Sequence, residues 1–368
     1  MIRERMNVYI TTSKKHLPYA YVSMYSLFEN NADSEVYLYI VSEDLQEEDL
    51  VNEFEAAEKF GHHIIIVPFD DEMARNYTES CDEKHWPMAT MSCYWLFHML
   101  LPEDVDRIMA IESDTVTIGS LYNVYHVDMQ GAFMACPGME HKPKTHTAFV
   151  ESLGGEGVTF VLSVYDVKKI RDSFKLEDIF GADAVVRNAA GRSQMEFTFG
   201  ILFKGHIKYI PGEQSCLDEN REYMKLLGWD YIVECEKKCK LLHFSSYEDY
   251  AKPWNPVELM PGYYYWWKYA KESPYFREYI ERQWEIYADK NESMMKLKKN
   301  VSYRNILLAA YCMLTVVMAL AMTCIFEQGI MGLLVAIIAV LIVLLVCVAR
   351  NVVICLNKIL AKRKSERK

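Results

Sequence analysis

The stretch Asp106-Arg107-Ile108-Met109-Ala110-Ile111-Glu112-Ser113-Asp114-Thr115-Val116-Thr117-Ile118-Gly119-Ser120-Leu121 decides the fold of this chain. Arg107 to Ile111 reads as a short buried strand that runs straight into two carboxylates spaced i, i+2. Strand side chains alternate with period two, so Glu112 and Asp114 can point the same way just past the strand's end. In open α/β sheets, ligands bind outside the carboxyl ends of the strands. Two hard oxygen donors there suit a divalent cation that carries a phosphorylated molecule. Taken alone, such an acidic pair is as readily a solvated turn as a metal site.

The sequence before this stretch alternates between two periods. Met6 to Thr11, Glu35 to Val41 and His63 to Val67 are apolar and β-rich. Between them, Tyr19 to Phe28 and Glu43 to Lys59 carry helical spacing, and Met91 to Leu101 is a mostly apolar helix closed by Pro102. Strands alternating with helices predict an α/β fold with a mostly parallel central sheet covered on both faces. Crossovers in such sheets are nearly always right-handed. Downstream, Ala132 to Cys136, Val158 to Val167, Ile207 to Ile210 and Leu241 to Phe244 read as further strands. A helix is expected from Lys168, and the Gly-rich His141 to Gly157 reads as a loop. Tyr263 to Tyr287 is aromatic with helical spacing, suited to packing on the sheet or to a bilayer surface.

The C-terminal part differs in kind. Residues 305–326 and 330–349 are free of charged residues, and each is about the 20 residues that a helix needs to cross the hydrocarbon core. They predict a two-helix transmembrane hairpin. A basic linker (291–304) precedes it, a basic tail (350–368) follows it, and the short connection carries only Glu327. By the positive-inside rule both basic flanks are cytoplasmic. MIRERMNVYI at the N-terminus has no apolar core of signal-peptide length. The expectation is therefore a cell-membrane protein with two spans, with residues 1–290 and both termini in the cytoplasm.

Charge follows the same division. From Lys296 onward there are 11 Lys and Arg against Glu327 and Glu366, whereas the preceding residues sum to −20 of the overall −11. An acidic domain with a basic membrane-proximal tail argues against nucleic-acid binding, and the tail suits anionic lipid headgroups. The ten cysteines contain no CxxC pair, so neither a disulfide framework nor a zinc site is expected.

Four stretches together resemble glycosyltransferase family 8, the glycogenin-like and lipopolysaccharide galactosyl- and glucosyltransferase group. They are MNVYITTSKKHLPYAYVSMYSLFENN, MATMSCYWLFHMLLPEDVDRIMAIESDTVTIGSL, VTFVLSVYDVKKIRD, and HFSSYEDYAKPW followed by WWKYAKESPYF. The resemblance spans residues 6 to about 280. It implies a GT-A (nucleotide-diphospho-sugar transferase) fold and retaining transfer from a UDP-sugar, usually with Mn2+ (or Mg2+). Glu112 and Asp114 match the two carboxylates of the family's Asp-x-Asp motif, and His243 matches its third metal ligand. Lys252 matches a lysine that contacts the donor diphosphate. Thr11, Thr12 and Ser13 fall where the family holds the uridine, and Ser113 lies between the motif carboxylates. With the predicted hairpin, the resemblance implies a glycan or lipid-linked acceptor at the bilayer and partners in membrane polysaccharide or lipopolysaccharide synthesis.

The departures are specific. The first motif Asp is Glu112, and the family's nucleotide-end Asp falls on Ser13, followed by Lys14 and Lys15. Its helix Arg falls on Trp95, and the sugar-pocket Asn-x-Gly reads Thr159-Phe160-Val161. The family's Asp-Gln-Asp reads Gln194-Met195-Glu196-Phe197, which leaves Glu196 as the candidate catalytic carboxylate. Metal and phosphate contacts are largely kept while sugar-pocket polar groups become apolar. Two readings follow: a working hexosyltransferase, or a degenerate member that serves as a nucleotide-binding or assembly subunit.

Overall fold

The computed structural model describes residues 3–69, 93–138, 144–212, 216–218, 228–245, 252–255, 260–289, 291–293 and 295–296, with single positions 308, 311, 314, 318 and 338. The chain divides into two compact units, Met1–Gln283 and Trp284–Lys368. The two predicted spans, the connection between them and the basic tail lie outside the described residues, apart from those single positions. Among the described residues no helix is long and apolar enough to cross a membrane.

The first unit is built on β1 (Glu4–Thr11), α1 (Leu17–Asn30), β2 (Ser34–Ser42), α2 (Val51–Phe60) and β3 (His63–Pro68). After α3 (Cys93–Trp95), which continues as a π-helical turn over Leu96–Leu100, come β4 (Arg107–Ala110), β5 (Thr115–Thr117) and β6 (Met134–Pro137). A seven-stranded sheet has the order β3-β2-β1-β4-β7-β6-β8, where β7 is Ser163–Asp166 and β8 is Ile207–Ile210. β1 to β4 run parallel, and β7 is antiparallel to both of its neighbours, β4 and β6. The sheet is mixed rather than uniformly parallel, but its ligand-relevant half is parallel.

Period-two alternation explains why the strands are buried on both faces. Val8, Ile10, Leu38, Ile40, Met109 and Val164 enter one apolar cluster with α1 and α2. Their strand neighbours Tyr9, Tyr39, Ile108, Ala110 and Tyr165 enter a second with α3 and the helices that follow β7. Burial of an aliphatic or aromatic side chain stabilises by roughly 1.5–3 kcal/mol, so a register slip in β1 would forfeit several such terms.

Three local expectations are corrected. Within His141–Gly157 a helix forms, α4 (Lys144–Ser152), because Phe149 and Val150 pack with Phe197. Just beyond it the chain runs close against Gly200, where a Cβ would collide with the Glu156 carbonyl oxygen. The strand predicted from Val158 starts only at Ser163. Leu162 takes a left-handed backbone (φ 57°), and the Ser163 hydroxyl donates to the Thr159 carbonyl, so residues 159–162 form a turn. Tyr263–Tyr287 is not one helix: it stops after Tyr263–Ala270 and resumes at residue 276, since Pro274 disfavours helical backbone at Ser273.

Beyond β7 the chain adds α5 (Val167–Ser173), α6 (Leu176–Ala190), α7 (Met195–Leu202) and α8 (Trp229–Glu236). A small second sheet has the order β5-β10-β9, with β9 at Cys216–Asp218 and β10 at Leu241–His243. Leu241–Phe244 was expected as a strand, but its partner β5, only three residues long, carries no sequence signal of its own.

Candidate functional site

Strand order reverses between β1 and β4: β2 and β3 extend to one side, and β4 follows on the other. Such a switch point opens a crevice outside the carboxyl ends of the two strands. Thr11, Thr12 and Ser13 leave β1 there, and Glu112, Ser113 and Asp114 leave β4 beside them.

The acidic turn is held on several sides. The Thr115 hydroxyl donates to the Glu112 carbonyl (2.7 Å), and Ser23 of α1 lies 3.1 Å from that carbonyl and 2.8 Å from Thr115 Oγ1. Ile111 N–H donates to the Tyr9 carbonyl, which keeps the chain against β1 until the turn begins. Antiparallel pairing of β5 with β10 then sets His243 opposite Thr115, and Phe244 N–H donates to the Asp114 carbonyl at 3.0 Å. Register alone therefore brings a histidine from far along the chain to the two carboxylates.

One potential ligand atom from each of Glu112, Asp114 and His243 lies within 4.8 Å of the others. His243 Nε2 is 3.0 Å from Glu112 Oε2 and 3.5 Å from Asp114 Oδ1. Lys252 Nζ reaches Asp114 Oδ2 at 2.5 Å and donates to the Phe244 carbonyl at 2.7 Å. Burial acts to raise the Asp114 pKa, but the charges of Lys252 and then His243 outweigh it and hold the carboxyl below its ordinary value. Two carboxylates and one imidazole converging on a partly open crevice fit a divalent cation, and the nitrogen donor suits Mn2+ better than Mg2+. Glu112 reaches this cluster despite its extra methylene.

The remaining predicted residues are placed as follows. Thr12 is buried, and its Oγ1 has no hydrogen-bond partner among the described residues. Ser13 Oγ pairs with His16 Nδ1 at 3.1 Å. Lys14 turns away, its N–H on Asp44 Oδ1 and its Nζ 2.5 Å from Asp49 Oδ1. Ser113 is half-buried in the turn between the two carboxylates. Glu196 is half-buried in the first turn of α7, with one carboxylate oxygen 3.4 Å from the Phe160 N–H. It is not one of the three clustered ligands. Trp95 is a core residue, edge-on to Phe69 and Phe180, and Phe160 is edge-on to Tyr9. Thr159 Oγ1 and Tyr9 Oη are buried without a partner among the described residues.

Sequence reasoning missed Ser23 and Thr115, the hydroxyls that pin the acidic turn. A hydroxyl beside the motif was visible, but only the fold sets α1 against it. It also missed how the Lys252 block is seated. Tyr19 stacks on Trp254 with ring centroids 4.5 Å apart, and the Tyr279 hydroxyl donates to the Pro18 carbonyl. The segments that follow β1 and β10 are thereby packed against each other.

Fold and site together give an α/β protein of GT-A-like architecture with an acidic, histidine-completed cluster at the switch point. Residues 7–158 match the family model described as glycosyl transferase family 8. Among solved structures the chain resembles the galactosyltransferase LgtC in complex with donor and acceptor sugar analogs. That likeness has a TM-score of 0.58 and 15% identity, and covers 73% of this chain and 96% of that one. The bifunctional glycosyltransferase WbbM aligns with TM-score 0.56 and 15% identity over 77% of this chain and 52% of its own. The glycosyltransferase GlyE of Streptococcus pneumoniae TIGR4 aligns with TM-score 0.55 and 15% identity, over 72% and 60% respectively. These likenesses establish the fold. No curated protein matches the sequence.

Proposed function

We propose that this chain is a glycosyltransferase that moves a hexose from a UDP-sugar to a glycan or lipid-linked acceptor, retaining and dependent on Mn2+ or Mg2+. The observation that carries the reading is the convergence of Glu112, Asp114, His243 and Lys252 at the switch point. Glu112, Asp114 and His243 would hold the cation, which supplies positive charge against the diphosphate of the leaving UDP. Lys252 adds a compact point charge for the same phosphates. Thr11, Thr12, Ser13 and Ser113 are assigned to the nucleotide, and the orphan Thr12 hydroxyl supports a polar ligand there. Glu196 is assigned as the catalytic carboxylate that faces the transferred sugar.

The two charge-free runs and their basic flanks support a membrane hairpin with residues 1–290 and both termini in the cytoplasm, beside a membrane polysaccharide-synthesis machine. Single cysteines at positions 328 and 365 of the full chain should label from opposite sides of the membrane. Labelling of both from one side contradicts the hairpin.

The site is tested by titrating UDP into the full-length chain with and without Mn2+. Mn2+-dependent binding is expected, and Asp114→Ala should weaken it by about 100-fold or more, since even outer-shell changes cost 10–100-fold in metal affinity. Metal-independent binding, or none, defeats the reading. One observation favours the alternative of a nucleotide-binding assembly subunit: Trp95 and Phe160 fill the corner where polar sugar contacts are expected. Mn2+-dependent UDP binding without hydrolysis of any UDP-sugar in a panel would select that alternative.

A further inference from the structure

The Lys252 side chain is only 12% exposed, and its ammonium is already committed inside the candidate cation site. It lies 2.5 Å from Asp114 Oδ2, donates to the Phe244 carbonyl at 2.7 Å, and stands 5.9 Å from the centre of the Trp254 indole. A carboxylate that would ligate a cation is therefore neutralised by the chain's own charge.

This arrangement has a physical reason. Glu112 and Asp114 share one turn, and two partly buried carboxylates repel each other unless a positive charge stands between or beside them. Lys252 supplies that charge beside Asp114, while His243 stands between the two carboxylates. A divalent ion arriving alone must either displace the ammonium from Asp114 or sit next to it. Displacement leaves a mostly buried ammonium without its carboxylate partner, on the Phe244 carbonyl and near the Trp254 ring, and sharing brings like charges together. A diphosphate removes the conflict because its oxygens accept the ammonium and leave Asp114 to the ion.

We propose that Lys252 is a placeholder for the divalent cation, exchanged when a diphosphate arrives: the ion takes Asp114 and the diphosphate takes Lys252. Ion and nucleotide then bind with positive cooperativity, and by linkage each tightens the other by the same factor. This inference rests on the metal–nucleotide reading of the same site.

The test measures free Mn2+ by electron paramagnetic resonance during titration of the full-length chain, with and without UDP. In the wild type, UDP should tighten Mn2+ binding by about 10-fold or more, within the usual range for coupled sites. Lys252→Met should bind Mn2+ alone about 10-fold more tightly than the wild type, with the UDP effect reduced to the part that comes from the direct attraction between diphosphate and ion. Lys252→Gln should behave likewise, while Lys252→Arg, which keeps the charge, should keep the coupling. Thermal melting without ligand establishes that each variant is folded. If the Met and Gln variants bind Mn2+ alone no more tightly and keep the full UDP effect, the placeholder role is wrong though the metal site stands. If the wild type binds no Mn2+ with or without UDP, the metal–nucleotide reading itself falls, and the placeholder falls with it.

Discussion

At the carboxyl end of β4 the sheet presents Glu112 and Asp114, joined by His243 and Lys252. At the adjoining end of β7 it presents Thr159, Phe160 and Val161, and Phe160 joins Tyr9, Trp95 and Phe97 in one apolar cluster. The first corner is built from charges that compensate each other within 2.5–3.5 Å. The second is built from aromatic edges and faces, with Trp95, Phe160 and Phe97 each 5% exposed or less. One end of the central strands β4 and β7 thus carries a cluster of paired charges beside a corner with few groups to pair with sugar hydroxyls. The two ends of a nucleotide-sugar make separate demands, and under the proposed function the two corners would answer them by different physics. Recognition of the phosphate end needs fixed charge, whereas choice of sugar depends on which hydroxyls find partners; a polar group buried unpaired costs on the order of 1–3 kcal/mol.

The largest effect that separates the corners is expected at Trp95. If it is core and not a ligand wall, Trp95→Ala leaves a cavity among Phe69, Phe180 and their neighbours and destabilises the fold by about 3–5 kcal/mol. The folded fraction should still bind UDP with Mn2+ within about threefold of the wild type, an energetic difference under ~1 kcal/mol. Chemical denaturation and UDP titration of the same preparation check both halves. A tenfold loss of UDP affinity with unchanged stability would break the contrast and make the aromatic corner part of the ligand site.

Legibility follows the same division. β1, β2 and β4 could be read directly because a parallel strand buried on both faces is a near-continuous apolar run, and their alternation survives intact in the two clusters. Glu112 and Asp114 were legible as a pair but not as a site, because the third ligand arrives through the register of β5 with β10. Only the order of His243, Lys252, Pro253 and Trp254 pointed to it. Three-residue strands hold few positions for a period to show: in the second sheet Leu241–Phe244 was legible as a short apolar run, but its partner β5 was not. The helix Lys144–Ser152 was hidden for a related reason: its apolar residues, Phe149 and Val150, sit in an otherwise polar run and gain meaning only against Phe197. Ser23 and Thr115 are ordinary hydroxyls until the packing of α1 against the turn gives them the Glu112 carbonyl.

Glu53 sharpens the contrast, because it is a buried acid without what Asp114 has. Its side chain lies on α2, fully buried, with the Tyr275 hydroxyl 3.3 Å from Oε1 and no partner for Oε2 among the described residues. Burial, drawn back only in part by its own backbone N–H and by Tyr275, pushes its pKa from 4.5 up to about 7. Asp114 shifts the opposite way because cations face it. The sign of the consequence is fixed by proton uptake. Between pH 4.5 and about 7 the folded chain holds a proton at Glu53 that the unfolded chain has released, so stability from this group falls as pH rises through that window. The contribution is full below the unfolded value and gone above about pH 7, a change of about 3 kcal/mol at ~1.4 kcal/mol per pKa unit. Glu53→Gln, which cannot ionise, should flatten that part of the stability–pH profile, so wild type and variant diverge from pH 5 to pH 8 in denaturant unfolding. Parallel profiles would show that Glu53 is ionised in the folded chain throughout, and that a buried carboxylate here needs no cation beside it.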